Sequence, residues 1–268
     1  MNILESNPSK KYLELIKQFR LIDDTFFDVC LDGSNECMKL LLNIFFERDD
    51  IIVKEVVTQR SARNLYGRSA RFDVIAMDST GKIYNVEIQR SKEGANPKRA
   101  RFNNAIIDSR EINKRTEYKD FPEIWIIFIT EKDIFKAGLP MYHINRVIDE
   151  LNQPFNDATH IIYVNGQYRG NDALGLLMQD FFCSEPAQMH YPELAKRTDF
   201  FKNNEKGVNT MCELMEKFGN EVFAEGIDKG RSQMATDTAL AMLRDNKPIE
   251  EIIKYSHLSE SRIKELAE

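Results

Sequence analysis

Residues 71–89 read RFDVIAMDSTGKIYNVEIQ, the pattern of two short strands joined by a tight turn. Ser79-Thr-Gly81 fits a three-residue hairpin loop, a type I turn closed by a glycine in the left-handed conformation. With this loop, Asp73 is expected directly opposite Glu87 on the neighbouring strand. Because side chains alternate along a strand, Gln89 shares the face of Glu87. The segment therefore predicts two carboxylates and an amide on one face of a hairpin.

The two facing carboxylates suggest a site for a divalent cation. Like charges opposite each other destabilise a hairpin. The cost is roughly 0.2–1 kcal/mol if the repulsion is as large as the stabilisation by favourable cross-strand pairs. A hard cation such as Mg²⁺ would reverse this effect, because it prefers carboxylate oxygens. The alternative is an ordinary solvated polar face, but Ile75, Met77 and Ile83 on this face indicate partial cover. The residues expected on the opposite, core-facing side are Phe72, Val74, Ala76, Tyr84, Val86 and Ile88.

The spacing of Asp73, thirteen residues and then Glu87-Ile-Gln89 is similar to the active-site signature of the PD-(D/E)XK nuclease superfamily. It resembles in particular the branch with Gln in place of the usual Lys, the recombination-promoting nucleases or transposases. The resemblance covers about residues 20–200. A departure is Asn103-Asn104, where the family often has Tyr. The further matching stretches are Leu21–Phe27, Leu40–Phe45, Arg99–Phe102, Ile127–Phe135 and His160–Gly166.

The resemblance implies a fold and a set of site residues. The fold is α/β, with a restriction-endonuclease-like mixed central sheet flanked by helices. Asp73, Glu87 and Gln89 would be the catalytic residues, and the two acids with the backbone carbonyl of Ile88 would bind Mg²⁺ or Mn²⁺. Gln89 can orient groups by hydrogen bonds but supplies no charge. An acid on an early helix often supports such sites, and Glu36 is the candidate. The alternative for Glu36 is an exposed carboxylate that favours a helix N-terminus.

Basic residues surround the proposed acidic pair. The chain has a net charge of −6, whereas residues 54–101 contain eleven basic and five acidic residues and carry +6, which leaves −12 for the remainder. A cationic rim suits a phosphate backbone bound beside a metal, although chance clustering on a solvated surface has the same composition. The residues predicted to contact DNA are Arg68, Arg71, Lys92, Lys98, Arg99 and Arg101.

Some of these cations have a second predicted role. Lys92, Lys98 and Arg101 are candidates for the positive charge that Gln89 cannot supply. Arg99 and Arg101 begin the helix that follows the hairpin, where they either contact phosphate or support the site, or form ordinary salt bridges. The sequence leaves these alternatives open.

The composition is that of a globular protein with reduced thiols. Its 268 residues are enough for one large domain and an appendage. The four cysteines form no Cys-X-X-Cys pair, so no zinc site is predicted. The first residues do not have the pattern of a signal peptide, and no apolar run approaches eighteen residues. These features predict a cytoplasmic protein without a membrane partner.

Hydrophobic periodicity predicts the element order α-β-β-β-α-β for the core, followed by an all-helical C-terminal extension. Tyr142–Asn145 is assigned to a helix face. The predicted domains are a nuclease-like domain over 1–195, a helical linker over 196–236 and a small helical tail over 237–268. Helices are expected near 8–20, 35–47, 97–116 and 173–182, and strands near 52–58, 123–129 and 159–164 besides the hairpin.

The tail has the apolar spacing of a small helix-turn-helix. Its last helix carries Glu260, Glu265 and Glu268, whereas a helix that reads a major groove is normally more basic. DNA reading and a role in packing or oligomerisation therefore both remain open. The apolar positions are Ile249, Ile252, Ile253, Leu258, Ile263 and Leu266.

The combined prediction is a Mg²⁺-dependent DNA endonuclease associated with recombination or mobile elements. The alternative is a catalytically weak or silent DNA-binding or scaffold protein on the same fold, and the sequence does not separate DNA from RNA as the substrate. No three-carboxylate integrase pattern is present, so strand transfer is not predicted. A homodimer is compatible with this chemistry, because cutting both strands usually needs two sites.

Overall fold

A computed structural model of the protein describes residues 8–62, 70–91, 93–112 and 115–267. It divides into two compact units, Met1–Val208 and Asn209–Glu268. Within the described ranges, no helix is both long and apolar enough to cross a bilayer. The helices are α1 (Pro8–Gln18), α2 (Asp24–Leu31), α3 (Asn35–Phe45), α4 (Pro97–Glu111), α5 (Ala173–Phe182), α6 (Pro192–Asn203), α7 (Glu205–Arg244), α8 (Ile249–Ser256) and α9 (Glu260–Ala267).

A mixed sheet of six strands lies at the centre of the first unit. Its order is β1-β2-β3-β4-β8-β5, with β3, β4 and β8 parallel and the other neighbours antiparallel. The predicted restriction-endonuclease-like sheet flanked by helices is thus confirmed. The strands are β1 (Val53–Ala62), β2 (Ala70–Asp78), β3 (Ile83–Gln89), β4 (Ile124–Thr130), β5 (Met141–Ile144), β8 (Thr159–Asn165) and a separate ribbon of β6 (Val147–Ile148) and β7 (Gln153–Pro154).

Strands β2 and β3 form the predicted hairpin in the predicted register. Val74 faces Val86, as expected from a loop at Ser79–Gly81. The N–H of Gly81 donates to the carbonyl of Asp78 at 3.2 Å, and the φ of Gly81 is +87°, in the left-handed region that favours glycine. Local sequence therefore determines how these two strands align.

Helix α4 covers one face of the sheet and shares a buried apolar cluster with it. Ile75 and Ile83 belong to this cluster, so the predicted cover of the carboxylate face is confirmed. Phe72 was expected on the opposite side but packs in the same cluster, because the regular alternation of β2 is interrupted at Asp73. The buried members are Ala70, Phe72, Ile75, Ile83, Ala95, Ala100, Ile107, Ile124, Ile126, Phe128 and Tyr163.

Helix α2 and strand β5 are among the elements that differ from the prediction. Helix α2 was not expected, and it packs against β1, β2 and β3 with Phe26 and Phe27 fully buried. The assignment of Tyr142–Asn145 to a helix face is wrong, since β5 is an edge strand paired antiparallel with β8. A four-residue segment cannot show from its own pattern that a neighbouring strand will supply its hydrogen bonds.

The second unit contains a small apolar core of its own. Ala239 near the end of α7, Ile252 of α8 and Ile263 of α9 form its buried centre. His257 joins α8 to α9 with a φ of +58°. The apolar positions identified in the tail all lie in this core or pack against it.

Candidate active site

The strand pairing around Asp73 is interrupted on both sides. Its position on β2 lies opposite Gln59 of β1, whose φ of +50° places a non-glycine residue in the left-handed region. The β2–β3 ladder ends at Val74 and Val86. Such irregularities re-aim side chains and cluster at functional sites. Here the interruption directs the side chain of Asp73 into the gap between β2 and β3.

The side chain of Asp73 bridges the gap to β3, the strand that carries Glu87. Oδ2 of Asp73 accepts a hydrogen bond of 2.9 Å from the N–H of Ile88, the residue after Glu87, and the charge of Glu87 acts on the Asp73 carboxylate. In a strand, the N–H and C=O of one residue point to the same side, so the Ile88 carbonyl also faces Asp73. The structure thus brings together the two acids and the carbonyl that the family resemblance implies as metal ligands.

Glu87 is fully buried and surrounded by hydrogen-bond donors. Its Oε1 accepts from Nδ2 of Asn85 at 3.0 Å and from Nδ2 of Asn103 at 3.3 Å. Its Oε2 accepts from Nη2 of Arg99 at 2.5 Å and from Nε2 of Gln89 at 3.4 Å. Donors on every side hold this carboxylate in one orientation and favour its ionised form.

Arg99, in the first turn of α4, places a positive charge beside Gln89 and Glu87. Besides its ion pair with Glu87, it donates through Nη1 to Oε1 of Gln89 at 3.2 Å. The cations predicted to supply the charge that Gln89 lacks were Lys98 and Arg101, which are exposed on the same helix, and Lys92, which lies outside the described residues. A loop and a helix start separate Arg99 from the hairpin in sequence, so its contact with Glu87 could not be read from spacing.

The Gln89 amide is held by its neighbours in a single orientation. Its oxygen accepts from Arg99 and its nitrogen donates to Glu87. The backbone of Gly94 packs against it so closely that a Cβ there would lie 1.8 Å from Oε1 of Gln89. Nη1 of Arg99 also donates to the Gly94 carbonyl at 3.4 Å. Glycine is therefore needed at position 94 for close approach.

Burial raises the pKa values of the acids around the gap. Burial, and then the charge of Glu87, raise the pKa of Asp73 to about 8. Burial raises the pKa of Asp28 to about 7, against the effect of a hydrogen bond from Gln59. Burial likewise raises the pKa of Glu87, and the charge of Arg99 opposes that shift. A divalent cation would favour the ionised form of these acids.

Asp28, on α2, is an early-helix acid whose charge acts on Asp73. It is only 6% exposed, and its Oδ2 accepts from Nε2 of Gln59 at 2.7 Å. Its Oδ1 is buried without a hydrogen-bond partner in the described part of the chain. Asp28 is not among the site residues predicted from the sequence; the early-helix acid predicted there, Glu36, is exposed in the first turn of α3. The sequence signal that could have identified Asp28 is an acidic residue within the otherwise apolar run of α2.

The Asp28→Asn variant is expected to be more stable than wild type at pH 8 in EDTA, with the difference shrinking toward pH 4. Since the folded-state pKa of Asp28 is about 7 and the reference value is 3.8, the folded protein binds more protons than the unfolded chain between these two pH values. Ionisation of Asp28 therefore lowers the free energy of unfolding as the pH rises from 4 to 8, by up to roughly 4 kcal/mol. Urea unfolding from pH 4 to 8 measures the difference.

Asp32→Asn is the matched control, because Asp32 lies exposed at the end of the same helix. This variant is expected to follow wild type across the pH range. A constant difference between Asp28→Asn and wild type from pH 4 to 8 would contradict the assignment of Asp28 as a buried acid that charges at a cost.

An open cleft of about 820 Å³ lies along the start of α4. Arg99 lines this cleft and also contacts Glu87, so one side chain connects the cleft with the acidic pair. Arg68, another predicted DNA contact, lies outside the described residues. Four of the six residues predicted to contact DNA line this cleft. The charged residues of the lining are Arg71, Lys98, Arg99, Arg101 and Glu93.

The oxygen ligands around Asp73 suit a hard divalent cation. Within the described ranges, no three histidine, cysteine or acidic side chains are grouped closely enough to form a metal cage by themselves. Mg²⁺, however, usually takes one or two carboxylates and keeps several waters. Asp73, Glu87 and the Ile88 carbonyl match that requirement, and the unpartnered oxygen of Asp28 adds a further acceptor on the α2 side.

A mixed sheet flanked by helices, with paired acids where its central hairpin separates, is consistent with the restriction-endonuclease-like fold. A family model described as PD-(D/E)XK nuclease family transposase matches residues 30–167, just over half of the chain. The protein belongs to this family. Nucleases of this class generally use divalent metals and act on DNA. No curated protein and no solved structure matches the chain significantly.

Proposed function

We propose that the protein is a Mg²⁺- or Mn²⁺-dependent endonuclease that hydrolyses phosphodiester bonds in DNA. The observation that carries this proposal is the hydrogen bond from the N–H of Ile88 to Asp73, which holds the Asp73 carboxylate beside Glu87 across the gap between β2 and β3. Two acids whose pKa values are raised by burial are costly to a fold, and a cation bound between them would offset that cost. The proposed association with recombination or mobile elements rests on the family description.

Each side chain has a role that follows from its contacts. Asp73 and Glu87 would hold the ion together with the Ile88 carbonyl. When bound, a divalent ion activates water and stabilises charge on a phosphate. Gln89 orients Glu87 and Arg99 by hydrogen bonds, and Arg99 supplies the positive charge.

The cleft beside Arg99 would bind the DNA backbone. Arg71, Lys98 and Arg101 are exposed along it and can each neutralise a phosphate. Binding of this kind depends on backbone charge rather than on bases, so little sequence preference is expected. The same physics requires affinity to fall steeply with salt concentration.

The first test is cleavage of supercoiled plasmid. Wild-type protein with Mg²⁺ or Mn²⁺ is expected to produce nicked or linear DNA, and EDTA is expected to prevent it, because the acids need an ion to act. Agarose gels with a matched RNA substrate measure both activity and preference.

Retention of DNA in a gel shift without cleavage under either metal would contradict the endonuclease proposal and support the binding or scaffold alternative. Faster cleavage of RNA than of DNA would overturn the choice of substrate while leaving the acidic site in place.

A further inference from the structure

We propose that Arg99 and a divalent cation compete for Glu87, so that binding of the ion releases the guanidinium to a backbone phosphate in the adjoining cleft. Arg99 would then be an exchangeable counter-ion that couples metal binding to nucleic-acid binding. This inference rests on the proposed function, because it requires an ion at Glu87 and a phosphate beside it.

The first step is the saturation of Glu87. A carboxylate offers about four lone-pair positions. Asn85 and Asn103 donate to Oε1, whereas Gln89 and Arg99 donate to Oε2. A cation that binds this carboxylate must therefore displace at least one donor.

The second step is that Arg99 is the donor able to leave. Asn85, Asn103 and Gln89 are all at least nine-tenths buried, so an amide N–H displaced from Glu87 would find no water to replace the lost hydrogen bond. The side chain of Arg99 is 36% exposed. Electrostatics favours the same exchange, because a divalent cation takes over the neutralisation of the buried carboxylate.

The third step is the place to which Arg99 moves. Arg99 already lines the basic cleft of about 820 Å³. A guanidinium binds phosphate through two parallel hydrogen bonds, which makes it a stronger phosphate ligand than a lysine. Without metal, Arg99 is paired with Glu87. Once the ion binds, Arg99 would be free to bind the phosphate nearest the ion.

The exchange predicts that Arg99→Met binds Mn²⁺ more tightly than wild type, by about tenfold at pH 8.5, because a charge-assisted competitor is removed. Isothermal titration calorimetry under nitrogen measures this affinity without DNA and without turnover. The alkaline pH keeps protons from replacing Arg99 on the carboxylate. Arg101→Met is the matched control, since Arg101 lines the same cleft but stands two positions further along α4.

A second measurement tests the coupling. Fluorescence anisotropy with a labelled phosphorothioate duplex gives DNA affinity with and without Mn²⁺. Wild type and Arg101→Met are expected to gain affinity on Mn²⁺ addition by the same factor, although Arg101→Met binds more weakly throughout. For Arg99→Met, the gain is expected to be about tenfold smaller.

The outcomes separate this inference from the function on which it rests. Equal Mn²⁺ affinity of wild type and Arg99→Met, with plasmid cleavage by wild type, overturns the exchange and leaves the nuclease intact. Mn²⁺ binding by Arg99→Met alone supports the exchange even if wild type does not cleave DNA. Absence of Mn²⁺ binding to both proteins overturns both.

Discussion

Asp73→Asn is expected to lower metal-dependent DNA cleavage by about a thousandfold or more while the protein stays folded. The asparagine oxygen can still accept from the N–H of Ile88, which keeps the strand gap intact. The negative charge needed to hold the ion is lost, and the metal's contribution to such reactions amounts to several kcal/mol. Single-turnover cleavage of a labelled duplex at saturating Mg²⁺ measures the loss.

Asp108→Asn is the matched control for this variant, because Asp108 is a half-buried acid on α4 that accepts from Asn104 at 3.0 Å. It is expected to cleave at close to the wild-type rate. Thermal unfolding in EDTA tests whether Asp73→Asn is folded. A folded Asp73→Asn protein that cleaves within a few fold of wild type would remove Asp73 from the reaction.

Gly94→Ala is expected to reduce cleavage by about a hundredfold with little loss of stability. The new Cβ would stand 1.8 Å from Oε1 of Gln89, so the amide must move. That movement breaks its hydrogen bonds to Arg99 and Glu87, and supporting contacts of metal ligands are typically worth 10–100-fold. The folding cost is small because only the end of a flexible side chain is displaced. Cleavage rates and urea unfolding measure the two effects.

Gly230→Ala is the control for a glycine substitution without a collision, since its added Cβ would meet no atom within 4 Å beyond the adjoining backbone of its own helix. It lies in helix α7, where alanine is favoured over glycine by about 1 kcal/mol, so it is expected to be active and at least as stable as wild type. Wild-type cleavage by Gly94→Ala would show that the orientation of Gln89 is unimportant. Unfolding of Gly94→Ala would show that the contact supports the fold instead.

Features that depend on residues close together in sequence were easier to predict than features that depend on distant contacts. The turn at Ser79–Gly81 and the register of the hairpin were predictable, because a tight loop allows few alignments. The start of α4 was also predictable, since Asn96 caps the helix and Pro97 occupies its first position. These features depend on neighbours in sequence.

The residues that complete the site were harder to predict. Asp28 was missed because α2 itself was not recognised, and Glu36 was named in its place. Arg99 was recognised as basic, but its ion pair with Glu87 depends on how α4 packs against β3. The contact between Gly94 and Gln89 likewise arises only when the loop before α4 folds back over the strand.

The sequence by itself determined the paired acids, the hairpin that carries them, the basic segment beside them and hence the nuclease family. Alternation along strands and turn geometry are local properties, and a short pattern specifies them. Only the tertiary structure decided which cation faces Glu87, which helix brings the additional acid, and where the strands separate. Those outcomes depend on burial and electrostatics between segments far apart in the chain, which no local pattern encodes.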